Sequence, residues 1–141
     1  MPKMIFLNLP VTDLAATERF YAAIGCARND QFSDENAVSM VWSEEIVFML
    51  LKHEFFSTFI SKPIADAHAA VGALICLSLD SREDVDSVTR AAGAAGGQAD
   101  TRPPMDHGWM YNRAFADPDG HVFEVVFMDP SAMPAEDAPA A

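Results

Sequence analysis

The sequence predicts an α+β fold made of two βαβββ modules, and three observations carry that reading. Short apolar runs rich in β-branched and aromatic residues alternate with two longer stretches of helical periodicity. The order of elements in the first half returns in the second at a spacing of roughly 68 residues, visible when LNLPVTDLAATERFY is set under LSLDSREDVDSVTRA. A chain of 141 residues is one domain by length, and a compact chain of this size buries about 68–70% of its unfolded surface, so it needs no covalent staple.

Each element has a local cause. Residues 4–11, MIFLNLPV, read as a strand. TDLAATERFYAAIG then reads as a helix with Thr12 or Asp13 as its cap. It places Leu14, Phe20, Tyr21 and Ile24 on one side and ends at Gly25. Strand-like runs follow at about 28–32, 37–42 and 46–51, with SDEN and SEE supplying turns between them. The pattern restarts at Ala73 with ALICLSLD, a strand, and SREDVDSVTRAAGAAG, a helix. Ser81 caps that helix and Asp84 stands three residues on, a relative of the capping box; Gly96 and Gly97 end it. Runs at about 98–101, 109–116 and 121–128 complete the second module. Residues 52–72 form a long connection, and a connection of that length in a compact domain serves as a lid, a binding loop or an interface arm. Within it Phe55, Phe56, Phe59 and Ile60 have helical spacing. The segment 129–141 is acidic, rich in Pro and Ala, and reads as a disordered tail.

Composition excludes several classes of function. Nine Lys plus Arg stand against 21 Asp plus Glu, a net charge of −12, which repels phosphate backbones and anionic membrane surfaces. Neither nucleic acid nor membrane is an expected partner. No apolar run reaches the ~18 residues of a membrane helix. The opening MPKMIFLNLP lacks a signal-like apolar core and cleavage site, which predicts a cytoplasmic protein. Cys26 and Cys76 read as separate reduced thiols. The glycines of AAGAAGG end a helix instead of opening one, so they cannot cradle a phosphate.

The opening LNLPVTDLAATERFYAAIG and the closing FADPDGHVFEVVF, set in a βαβββ-βαβββ order, resemble the vicinal oxygen chelate superfamily, which includes glyoxalase I, bleomycin-resistance proteins and extradiol dioxygenases. The resemblance covers about residues 4–128, a single glyoxalase-like domain with modules at about 4–51 and 73–128. It implies that the modules pair their strands into an open, cup-like barrel with the helices outside and a ligand in the cup. It also implies a homodimer.

Strand periodicity assigns the faces in part. In the first strand Ile5, Leu7, Leu9 and Val11 suit packing beneath a helix, leaving Phe6 and Asn8 for the opposite face; in the fifth, Ile75, Leu77 and Leu79 leave Leu74, Cys76 and Ser78. Parity alone does not orient the strands at 46–51 and 121–128. The resemblance places Glu124 inside the cup, with Met49 and Met128. Metal-dependent relatives draw four His, Gln or Glu ligands from the first and last strands of each module, positions that fall here on Phe6, Met49, Leu74 and Glu124. Only Glu124 can bind a hard cation, and a catalytic site needs about three protein ligands. No metal or other cofactor is therefore expected, with a non-standard divalent site built from Glu124 and His107 as the exception to test.

A carboxylate among Phe6, Met49, Leu74, Val122 and Val126 loses hydration and becomes a candidate general base; equally, it can be paired to Arg113, Asn8 or Tyr111. The strand GWMYNRAF offers Trp109 and Tyr111 for stacking on a planar ligand and Arg113 for a carboxylate, or all three as cover for the core. Two functions from different classes follow. One is a metal-free small-molecule binding protein of the bleomycin-resistance type; the other is a divalent-metal-dependent glyoxalase-like lyase or isomerase, or a dioxygenase, with Glu124 as base or sole inherited ligand. A third reading, a cup filled by its own side chains in a protein that acts through its surface, requires that nothing bind there.

Overall fold

The computed structural model describes residues 2–134, so the part of the expected disordered tail at 135–141 lies outside the described residues. The first module runs β1 (Ile5–Val11), α1 (Leu14–Ala23), β2 (Ala27–Arg28), β3 (Ala37–Val41) and β4 (Ile46–Lys52). A short helix α2 (His53–Ser57) opens the connection. The second module runs β5 (Leu74–Ser78), α3 (Arg82–Ala94), β6 (Gln98–Ala99), β7 (Met105–Asp106), β8 (Met110–Ala116) and β9 (Val122–Met128). The two modules form two sheets with matching topology, β1-β4-β3-β2 and β5-β9-β8-β6, and β7 adds to β8. In each, the first strand runs parallel to the last and the remaining pairs are antiparallel. The sheets stay open, as the α+β cup requires, with the main helices on one face of each.

The helix starts follow from their caps. Asp13 accepts from the Ala16 amide and Ser81 from the Asp84 amide, each satisfying an amide that the first turn leaves without a partner. The expected strand at 28–32 is cut to two residues. Asn29 accepts from the Gln31 amide and Arg28 donates to Asp30, which turns residues 30–32 into a 3-10 turn. The run at 98–101 also shortens, because Asp100 takes a left-handed φ of 55°.

One aromatic core joins the modules. Phe20 and Tyr21 from α1 meet Phe48 on β4, Phe115 on β8 and Phe123 on β9, with Phe115 and Phe123 stacked at 5.3 Å. These rings sit on the helix-side faces of both sheets. Backbone passes close beneath them at Gly97, where an added Cβ would lie 2.3 Å from the Ala116 carbonyl oxygen and 2.6 Å from the Phe20 ring.

Polar contacts beside this core pin the modules together at the DPDG turn. Tyr21 donates from its buried hydroxyl to Asp117 at 2.8 Å, Thr12 donates to Asp119 from both its amide and its hydroxyl, and His121 Nε2 donates to the Pro10 carbonyl at 2.8 Å. Asp117 also accepts from the amides of Asp119 and His121. Burial raises its pKa despite those donors.

Candidate functional site

Strand register settles the faces that parity left open. Asn8 pairs with Met49, and Phe6 with Val47, while Leu7 and Leu9 lie beside the core residues Phe48 and Leu50. In the second sheet one row runs Cys76, Glu124, Ala114; the neighbouring rows are Leu74, Val122, Ala116 and Ser78, Val126, Asn112. Phe123 and Val125 take the helix side. Glu124 therefore faces away from the core, on the same surface as Leu74, Cys76 and Ser78, and Met128 closes that surface beside Met110. Phe6 and Leu74 are 55% and 54% exposed, so each face keeps an open apolar edge, although Val47 and Leu51 on the face of Phe6 are buried. Residues 53–60 lean against the first sheet, where Phe56, Phe59 and Ile60 line a cavity with Asn8 and the buried Leu51, and both Phe59 and Ile60 stay exposed.

The charge partner of Glu124 is Arg102, from the loop between β6 and β7. Arg102 Nη2 donates to Glu124 Oε2 and, at 2.6 Å, to Asn112 Oδ1, while Nη1 donates to the Pro103 carbonyl. The two charged side chains are 26% and 18% exposed, so the pair is partly desolvated and both ends gain from a charge-assisted bond. Pro103 restricts Arg102 to extended backbone, which helps hold the loop over the sheet. The sequence pattern missed Arg102 because a loop residue carries no periodicity; only the following Pro-Pro marks its backbone as fixed. Beside the pair, burial and then the Glu124 charge push the Cys76 thiol up, so it stays neutral.

Two of the expected ligand contacts require correction. Tyr111 and Arg113 are on the opposite face of β8, against α3. Tyr111 donates to Asp86 at 2.6 Å, and Arg113 donates to Asp86 at 2.9 Å and to Asp100 at 2.7 and 3.0 Å. Hydrogen bonds from Arg113 lower the Asp100 pKa, and the Tyr111 hydroxyl does most to lower that of Asp86. Arg113 is therefore committed to acids of its own module and does not pair with Glu124. Trp109 precedes β8 with the same parity, and its carbonyl accepts from the Asp129 amide. His107 also lies away from Glu124. Its amide is tied to the Met110 carbonyl, and Met110 stands four residues along β8 from Ala114, the neighbour of Glu124, or roughly 13 Å of strand.

The donor set does not fit a divalent metal. Phe6, Met49 and Leu74 offer no hard donor, the one carboxylate is engaged by a guanidinium, and no group of three His, Cys, Asp or Glu able to hold a metal occurs among the described residues.

Two open sheets of matching topology, joined through one core with the main helices on one side, define the class of paired-module α+β folds. The chain belongs to the glyoxalase/bleomycin resistance protein/dioxygenase superfamily, whose family model matches residues 3–125. Solved structures share the fold over nearly their whole lengths. A hypothetical protein, SA1046 from S. aureus, superposes with a TM-score of 0.75 at 24% identity, covering 90% of this chain and 94% of that one. The fosfomycin resistance protein FosX from Mesorhizobium loti superposes at 0.65 with 17% identity, covering 93% and 96%. An antibiotic binding protein, TnmS3 from Streptomyces sp. CB03234, does so at 0.63 with 19% identity, covering 92% and 98%. Among curated proteins no sequence match was found. No helix among the described residues is long and apolar enough to cross a membrane.

Proposed function

We propose that this protein binds a small organic molecule against the concave face that carries Glu124, without a metal, in a cup completed by a second copy of the chain. The observation that carries the reading is the Arg102–Glu124 pair. A guanidinium stands against the carboxylate at the single position that retains a ligand type of the metal-dependent relatives. The positive charge such a site needs beside its carboxylate comes from within the chain. The competing reading, a metal-dependent lyase, isomerase or dioxygenase, needs about three ligands, and three of its four positions hold Phe6, Met49 and Leu74.

The surroundings suit an organic ligand. Leu74, Val122, Val126, Met110 and Met128 give an apolar surface, and Ser78 with the Arg102-bound Asn112 adds a few polar groups, the composition of small-molecule sites generally. Antibiotic binding, the role that names the similar fold TnmS3, is a function of this kind. The exposed Phe6 and Leu74 favour a second copy as the wall that closes the cup, because apolar surface of this extent is stabilised by removal from water.

A thermal-shift screen tests the reading by setting aromatic and heteroaromatic organics against Zn, Ni, Mn and Fe(II). Stabilisation by members of the organic set, abolished by Leu74→Glu, is the expected result. Stabilisation by a metal alone, lost in Glu124→Gln, would replace this reading with the enzymatic one.

A further inference from the structure

The Arg102 cluster also specifies which chemical group the face recognises, an inference that rests on the binding reading above. Arg102 can only donate hydrogen bonds, so the Asn112 atom turned toward it is the amide oxygen, and Nδ2 is the free end. Glu124 is engaged through Oε2, and among the described residues Oε1 accepts from no protein group. A single guanidinium nitrogen holds both side chains. Glu124 and Asn112 are diagonal neighbours on the same face of β9 and β8, so the free acceptor of one and the free donor of the other open on the same side of the sheet, Asn112 through the 6% of it that burial leaves exposed.

We infer that the concave face recognises a neutral planar group that both donates and accepts, a carboxamide, lactam or urea, carried on an apolar or aromatic body. Charge selects against the alternatives. An anionic head would meet Oε1 of the carboxylate, and the cation that would attract it is already shared between Glu124 and Asn112. A cationic head would face Arg102. Cys76, an exposed thiol whose pKa is raised by partial desolvation and by the Glu124 charge, adds no charge to either. A carboxamide satisfies Glu124 Oε1 with its N–H and Asn112 Nδ2 with its carbonyl, so neither polar end is left unpaired when the ligand displaces water.

Titrations of the 15N-labelled protein with benzamide, benzoate and anisole, followed by amide chemical shifts, test this directly. Benzamide is expected to bind roughly tenfold or more tightly than benzoate, with anisole weaker than benzamide. In Glu124→Gln the glutamine oxygen turns to Arg102, so the face presents two donors beside an uncompensated cation, and the preference should swing to benzoate. Asn112→Leu should weaken benzamide while leaving anisole unchanged, and the spectra report whether either variant is folded. Equal binding of benzamide and benzoate, or a ratio unmoved in folded Glu124→Gln, would overturn the inference and leave the binding reading standing. If none of the three probes binds, both fall.

Discussion

At the scale of single residues, Arg102 and Glu124 form a unit in which each accounts for the other's burial. Removing one charge strands its partner in a partly desolvated position. Arg102→Met is therefore expected to lower stability by about 1–3 kcal/mol, measured by urea unfolding, and Arg102→Met with Glu124→Gln should recover most of that loss. A double variant no more stable than Arg102→Met would show that packing of the arginine stem, not charge, sets the cost. Tyr21 and Asp117 form a second such unit across the modules. Tyr21→Phe leaves a buried carboxylate short of a donor and should also cost about 1–3 kcal/mol. Because the folded-state pKa of Asp117 is raised, the native state binds its proton more readily than the unfolded chain does. Its penalty is fully present above the folded pKa and fades as pH falls, so Asp117→Asn should remove a component of stability that improves on acidification.

At the scale of elements, the tie between α3 and β8 titrates in the opposite sense. Asp86, Asp100 and Asp106 all have lowered pKa values, Asp106 reaching about 2 through its bond from Arg82. A depressed folded pKa contributes stability that is complete above the unfolded value near 3.8 and is lost as pH falls toward the folded one. Thermal unfolding should show this loss between about pH 4 and pH 2, and Arg113→Leu should reduce it. Close packing sets a second prediction: Gly97→Ala, with its Cβ driven into the Ala116 carbonyl and the Phe20 ring, should destabilise by about 2 kcal/mol or more. Much at this scale was legible in the sequence. The Asp13 and Ser81 caps and the helix-side faces of β1 and β5 follow from residue type and period. The orientation of Tyr111 and Arg113 was not. GWMYNRAF carries Trp109, Tyr111, Arg113 and Phe115 on one face and Met110, Asn112 and Ala114 on the other, and hydrophobicity does not tell which faces a helix. Only the acids Asp86 and Asp100, brought in by other elements, decide it.

At the scale of the whole molecule, the helix-side faces of both modules are joined by one aromatic core, and this leaves the concave faces outward. A dimer that covers them is expected in sedimentation velocity, with Leu74→Glu shifting it to monomer. Each copy carries a net charge of −12, so added salt should tighten the dimer by screening the repulsion. The family could be read from the βαβββ repeat and the DPDG-x-x-x-E ending, whereas the charge partner of Glu124 is Arg102, a loop residue without periodicity that only the following Pro-Pro marks. In the binding function proposed above, this arginine supplies the positive charge beside Glu124 that a metal would otherwise bring. Native mass spectrometry of the untagged protein with Zn, Ni, Mn and Fe(II) in turn, run beside Glu124→Gln, tests it most directly. No stoichiometric metal is expected in either protein; one metal per cup that disappears in Glu124→Gln would overturn the metal-free reading.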